Sequence, residues 1–372
     1  MDITLRIAEE KDIPAIVALN KEQYGEDFFT NDEYFKWRFF NLKQHDSFLV
    51  CAFDVEKLVG ATGISGSIYV YKKNTIKVGL VASSVIKKQY RLTLIRIGST
   101  LSTIYGALLR EAERLSIERN CALLIAFPNK NSLPHFLEQC SYSQDGYIDF
   151  LFYPLNFHQL LRNRGIAIPI ILPWISKIAE TVFRIFTSAR IKLSSRFEFR
   201  QILDIHAVGS MWRTNMPGSV MAMKRDDDFF NWRFLNNSYL NYEILGAFEN
   251  DKLCGYIVWK SGKSIDRTSN THCVCTKLID FYFDSSDNTA AIIHGLIGEM
   301  IYRARKQNSL FVYSTIKVQE DLLKELRKSG FFFLNSNLFG KKIPLVKKQL
   351  SALCEIPPMA EWYITMADND IV

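Results

Sequence analysis

Two stretches of this chain, 195 residues apart, spell nearly the same pattern, and a repeat of that length fixes the number of folding units before any helix or strand is assigned. EYFKWRFFN, Glu33 to Asn41, recurs as DFFNWRFLN, Asp228 to Asn236, and at the same offset CAFDVEKLVG, Cys51 to Gly60, pairs with GAFENDKLCG, Gly246 to Gly255. From Glu33 to Gly60, ten of 28 positions are identical between the copies. Average residue usage gives about two by chance. A chain of 372 residues, at about 100 to 200 residues per domain, is therefore read as two related units.

The pattern outlasts the identity. Leu101, Ile104, Tyr105, Leu108, Leu109 and Ala112 draw one apolar stripe at helical spacing, and Ile293, Leu296, Ile297, Met300, Ile301 and Ala304 repeat it. Each stripe is followed by a β-like run, CALLIAF from Cys121 and LFVYST from Leu310, and then by a short amphipathic helix. Helices interleaved with hairpin-linked strands predict an α/β fold with a mixed sheet covered on its faces. The expected boundaries are a first domain over 1–155, an apolar and basic linker helix over 156–194, a second domain over 195–345 and a C-terminal tail over 346–372. Within the linker, Gly165 to Phe186 has a partly helical period. It is either a packing helix between the units or an interfacial membrane helix, and Pro169, Pro173, Lys177, Glu180 and Arg184 exclude a spanning one.

Composition closes several other routes. Apolar residues make up 48% and charged residues 23%, which excludes disorder and coiled coil as the main architecture. The balance of 46 Lys and Arg against 39 Asp and Glu gives +7, spread without a long block. It favours anionic ligands weakly, and no basic-aromatic stripe of the kind single-stranded RNA requires is present, so nucleic acid is not the expected partner. The seven cysteines lack CxxC spacing and read as reduced, buried thiols, and His272, Cys273 and Cys275 supply only three local ligands, so no metal is expected. The N-terminus MDITLRIAEEKD lacks the layout of a signal peptide, which predicts a cytoplasmic protein. No GxSxG, HExxH or GxxxxGKS pattern appears.

Three segments of the first unit then resemble a known family. ITLRIAEEKDIPAIVAL, VASSVIKKQYR (Val81 to Arg91) and IAFPNKNSLPHFLEQCSY (Ile125 to Tyr142) are similar to the first strand and helix, the central strand entering the pyrophosphate loop, and the strand-Asn-helix element of the GCN5-related N-acetyltransferases. The resemblance covers essentially the whole first unit and implies two tandem acyl-CoA N-acyltransferase-like domains of a bacterial type. It also implies acetyl-CoA or another acyl-CoA as co-substrate, a small-molecule primary amine as acceptor, and direct attack on the thioester. Backbone donors around Val85 and Ile86 are implied to hold the thioester carbonyl. Lys87, Lys88, Arg91 and Arg96 are implied to screen the phosphates, with Asn129 and Ser132 beside the pantetheine.

The sequence departs from that family in two places. Where the loop glycines are expected, counting from Arg91, stand Leu94 and Arg96, and the nearest substitute is Gly98-Ser99-Thr100, with Ser99 or Thr100 as the cap of the long helix. Seven residues past Asn129, where many relatives carry a proton-donating tyrosine, stands Phe136. Tyr142 is the nearest hydroxyl, read either as that donor or as a core residue. Asp368 and Asp370 are read either as a general base or as a solvated tail. The Trp37-Arg38 and Trp232-Arg233 pairs either line a ligand cleft or serve packing. DFYFDSSDNTAA, with Asp284 and Asp287 where phosphates would come, marks the second unit as a degenerate copy. The reading is an N-acetyltransferase acting on an amine, with an amino sugar of surface polysaccharide synthesis as the favoured acceptor by analogy. An aminoacyl-tRNA-dependent transferase and a non-catalytic scaffold are the alternatives.

Overall fold

Turn chemistry sets the hairpins that build both halves of the chain. Lys72 and Lys73, and likewise Asn250 and Asp251, have positive φ at both central turn positions, the backbone that matches the right-handed twist of two flanking strands. The computed structural model describes residues 3–25, 30–41, 46–97, 99–156, 196–202, 204–216, 218–236, 240–266, 271–284, 288–334 and 343–369, with four isolated positions between 159 and 181. The linker segment 165–186 apart from Thr181, together with Gly98, Asp287 and Asp370, falls outside the described residues, as does the side chain of His272.

In chain order the front half holds β1 (Ile3–Ile7), α1 (Ile13–Tyr24), α2 (Asp32–Phe35), β2 (Phe48–Asp54), β3 (Lys57–Tyr71), β4 (Asn74–Ile86), β5 (Leu94–Ile97), β6 (Thr100–Thr103), α3 (Ile104–Glu118), β7 (Leu123–Ala126) and β8 (Ser143–Pro154). The rest of the chain holds β9 (Glu198–Gln201), α4 (Ile205–Asn215), β10 (Met221–Met223), α5 (Asp227–Phe230), β11 (Glu243–Glu249), β12 (Lys252–Asp266), β13 (Thr271–Phe283), α6 (Thr289–Lys306), β14 (Phe311–Ile316), α7 (Glu320–Lys328), β15 (Phe332–Leu334) and β16 (Ile343–Gln349).

The chain divides into two units: Met1–Ile148 with Met221–Lys224 and Ile343–Met359, and Asp149–Val220 with Arg225–Lys342 and Ala360–Val372. The first unit's sheet runs β1-β2-β3-β4-β7-β16 and ends on the first half of β8, with β10 added to β3. The second unit's sheet runs from the second half of β8 through β14, β13, β12 and β11 to β9. The boundaries expected at 155 and 345 are therefore displaced. β16 pairs antiparallel with β7 on one side and with β8 on the other, so a strand from near the C-terminus completes the first unit's sheet.

Beneath the first sheet, the stripe of α3 does what its spacing predicts from Ile104 onward. Ile104, Leu108, Leu109, Ala112 and Leu115 are buried against Val50, Ala52, Val59, Val81 and Leu124. Leu101 does not belong to that stripe: it lies in β6 and is 58% exposed. In the second unit the matching stripe is buried along α6, from Ile293 to Ala304.

The repeated Trp-Arg pairs sit in matching single π-helical turns, Lys36–Phe40 and Asn231–Leu235, directly after α2 and α5. Trp37 and Arg38 are buried, and Arg233 Nε donates to the Ala367 carbonyl at 3.2 Å. These contacts are those of a packing device, one of the two readings the sequence left open.

Candidate active site

In the first unit the central strand outlasts its parallel partner, because β7 ends at Ala126. β4 and β7 are in register only at Val78↔Leu123, Gly79↔Leu124 and Leu80↔Ile125, although β4 runs on to Ile86. Beyond Leu80 the register holds β4 to β3 alone. Within that stretch two residues of β4, Ser83 and Ser84, oppose the single Thr62 on β3, a bulge with Ser83 at φ 52°.

Side-chain hydroxyls fasten the bulge. Thr62 Oγ1 and Ser84 Oγ are 2.6 Å apart, Tyr34 Oη and Ser83 Oγ are 3.2 Å apart, and Tyr24 Oη donates to the Ser84 carbonyl at 3.3 Å. Past the bulge the Lys87 N–H donates to the Val59 carbonyl at 2.8 Å. Antiparallel ladders alternate, so Ala61 and Val85 form the next hydrogen-bonded pair and Gly60 and Ile86 do not. Of the two amides expected to face a thioester, Val85 is thus turned toward β3, and Ile86 is turned toward the seam.

The second unit repeats the construction. β13 and β14 are in register only at Thr276↔Val312 and Lys277↔Tyr313, β13 bulges opposite Val258 and Trp259, and the Asp284 N–H donates to the Cys254 carbonyl at 2.9 Å. The two units diverge beyond the central strand. From Phe283 to Thr289 the connection is short, and Thr289 Oγ1 donates to the Asp284 carbonyl at 2.6 Å. From Ile86 to Ile104 the chain makes a turn over Lys88–Tyr90 and the β5–β6 hairpin.

That hairpin overturns the expected loop. Ser99 lies in its turn and Thr100 opens β6, so neither caps the long helix. Thr103 does: its Oγ1 accepts the Gly106 N–H at 3.1 Å and donates to Gln139 Oε1 at 2.9 Å. A Cβ on Gly106 would overlap Gln139 Oε1 and Ser102 Oγ, so glycine lets these two side chains approach the first turn of the helix. Ser102 is 6% exposed, and its Oγ has no hydrogen-bond partner among the described residues. A buried hydroxyl without a partner beside the first turn of a 15-residue helix is an arrangement suited to an anion. Ser-Thr just ahead of an apolar stripe was a legible cap signal, masked by Leu101 falling at helical spacing.

The other expected cofactor contacts are engaged locally. Arg91 is exposed and donates to Gln23, and Lys87 pairs with Glu22 at 3.7 Å. Asn129 Oδ1 accepts the N–H groups of Asn131 at 2.9 Å and Ser132 at 3.0 Å, so both Asn129 and Ser132 are engaged in a local cap. Phe136 and Tyr142 are both buried, with ring centroids 5.0 Å apart. Burial pushes the Tyr142 hydroxyl well above the ordinary tyrosine range, the charge of Glu113 adds to this, and the Oη has no hydrogen-bond partner among the described residues. Tyr142 is a core residue.

Asp368 is a correction. It is 1% exposed, and its two oxygens accept from Arg225 Nη1 at 2.8 Å and Nη2 at 2.7 Å. Asp280 takes the other side of the same guanidinium, with Nη2 at 3.2 Å, and also accepts from Tyr256 Oη at 2.9 Å and Thr365 Oγ1 at 2.7 Å. The tail is folded into the second unit by this network, neither frayed nor presenting a free base. Burial raises the Asp368 carboxyl above its usual range, although Arg225 pulls the other way. Among the described residues no group of three or more His, Cys, Asp or Glu is placed to hold a metal.

No protein-family model and no curated protein sequence matches the chain. Solved structures do. A GCN5-related N-acetyltransferase from Anabaena variabilis superposes with a TM-score of 0.59 at 12% identity, over 94% of this chain and 73% of that one. The Saccharomyces cerevisiae N-myristoyltransferase with bound myristoyl-CoA gives 0.57 at 11%, over 93% and 82%. The GCN5-related glucosamine N-acetyltransferase region of a fungal multi-domain GH3 β-N-acetylglucosaminidase gives 0.58 at 11%, with this chain spanning 38% of that longer one. At such identities the likeness shows the fold, which is that of the GCN5-related N-acetyltransferases.

Proposed function

We propose that this chain, with the fold of the GCN5-related N-acetyltransferases, transfers an acyl group from acyl-CoA to a primary amine at the seam of its first unit. The observation that carries the reading is the parting of β4 from β7 after Leu80, because it leaves main-chain donors of a central strand without a strand partner on that side. The Ile86 N–H holds the thioester carbonyl and stabilises the charge that develops on its oxygen. Ser102 and the first turn of α3 receive the pyrophosphate, with Lys88, Arg91 and Arg96 screening it. The neutral amine, having lost a proton to solvent, attacks the thioester carbon and the C–N bond forms. The resulting oxyanion collapses as the C–S bond breaks, a second proton leaves the nitrogen to solvent, and CoA departs as the thiolate, with no acyl-enzyme. Acetyl is the proposed acyl group, and the glucosamine N-acetyltransferase region of the fungal neighbour supports an amino sugar as acceptor.

The second unit is proposed not to bind CoA. Its connection into α6 is short and carries Asp284, whose charge opposes a phosphate. Purified protein incubated with acetyl-CoA and a panel of amino sugars, free and nucleotide-linked, is expected to release free CoA thiol and yield an acylated amine by mass spectrometry. Thiol release with none of acetyl-CoA, longer acyl-CoAs or any amine would contradict the reading, and stabilisation by tRNA in place of CoA would redirect it.

A further inference from the structure

The β5–β6 hairpin carries aliphatic side chains on both of its faces. Ile95 and Ser102 are opposite one another and turn inward, Ile95 packing against the core under α3. The alternate positions face outward, and there a strand ordinarily places polar residues. Here they hold Leu94, Arg96 and Leu101, with Leu94 59% and Leu101 58% exposed, and Leu92 just before the hairpin is 91% exposed. Tyr90 Oη donates to Asp54 at 2.8 Å, and the next residue, Val55, is 74% exposed.

The charge carried by the hairpin and its approach has one sign. No Asp or Glu occurs from Lys57 to Arg110. Lys88, Arg91 and Arg96 are exposed, and Arg91 bonds the neutral amide of Gln23. Of the bordering acids, Glu22 pairs with Lys87, Asp54 accepts from Tyr90, and Glu56 beside Val55 is exposed, so the positive face is the hairpin side. A partner for such a surface must be anionic and also offer an apolar phase to aliphatic side chains. Nucleic acid meets the first condition only, since its bases need stacking partners and the outward positions carry leucine. A bilayer with anionic headgroups meets both.

We propose that the β5–β6 hairpin docks this protein on an anionic lipid surface, with Leu92, Leu94 and Leu101 entering the headgroup layer and Lys88, Arg91 and Arg96 lying against the lipid charges. The proposal does not require acyl transfer, although it draws on the same three cations proposed above to screen the pyrophosphate, so the exposed leucines are the residues that test it. It is tested by cosedimentation of the full chain with vesicles of phosphatidylcholine alone and of phosphatidylcholine mixed with phosphatidylglycerol.

Binding to the mixed vesicles is expected, weakening as salt rises. Leu92→Ser/Leu94→Ser/Leu101→Ser should lower the partition coefficient at least about tenfold, with far-UV circular dichroism and thiol release in solution unchanged. Leu92→Glu alone, at the most exposed position, should lower it in the same direction and keeps the test open if the triple variant folds poorly. No binding to mixed vesicles, equal binding to both vesicle types, undiminished binding by a folded leucine variant, or tRNA binding that displaces the vesicles would each overturn the proposal.

Discussion

Arg225, Asp280 and Asp368 place one positive and two negative charges in a site where all three side chains have no exposure. Replacing Arg225 with Ala leaves two carboxylates facing each other, and by the usual cost of breaking a buried ion pair should destabilise the second unit by about 3–5 kcal/mol in urea unfolding. A loss below about 1 kcal/mol would mean that water reaches the site. Tyr142→Phe carries the opposite expectation. Its hydroxyl has no partner to lose, so stability should change by less than about 1 kcal/mol and thiol release should persist. Abolished turnover in a stable Tyr142→Phe protein would restore the tyrosine as proton donor. Burial raises the thiols of Cys51 to about 12 and Cys140 to about 11, above the usual thiol value. At mildly alkaline pH these two hold less thiolate folded than unfolded. Alkylation of native protein should therefore label the half-buried Cys273 and Cys354 first, and labelling of Cys51 or Cys140 before unfolding would contradict this. Asp368 and Tyr142 were both visible in the sequence as chemistry-bearing residues. That Arg225 meets Asp368 across 143 positions was not, because nothing local to either residue encodes the encounter.

At the scale of elements, local signals were legible where packing agreed with them. The stripes of α3 and α6 and the β7 and β14 runs lie where apolar spacing put them. The start of α3 was misread because Leu101 sits three residues before Ile104, a helical interval that here joins an outward strand position to a helix. Thr103→Ala should remove the cap and cost about 0.5–2 kcal/mol. Gly106→Val should force Gln139 and Ser102 apart and weaken acyl-CoA binding at least about tenfold through loss of the close backbone approach. Gly295→Ala makes a useful control. Its Cβ would strike the Phe199 ring in the second unit, at a cost of about 1–3 kcal/mol by overpacking, while acyl-CoA affinity measured by titration stays unchanged. Equal weakening by both glycine variants would remove the assignment of the α3 first turn to CoA.

At the scale of the whole molecule, the repeat announced two units of one construction, and each has a bulged central strand whose parallel partner leaves it early. What the repeat could not announce is which chain segment completes each sheet. β16 is a strand by any local criterion, but its partners β7 and β8 lie about two hundred positions earlier, so counting repeats placed its first residues in the second unit. The proposed functional asymmetry rests on the connection after the central strand, long and basic in one unit and short and acidic in the other. Calorimetric titration of the full chain with acetyl-CoA tests that asymmetry directly. One binding site per chain, lost in Gly106→Val and kept in Gly295→Ala, is the predicted result. No binding of any acyl-CoA, two equivalent sites, or binding that survives Gly106→Val would contradict it.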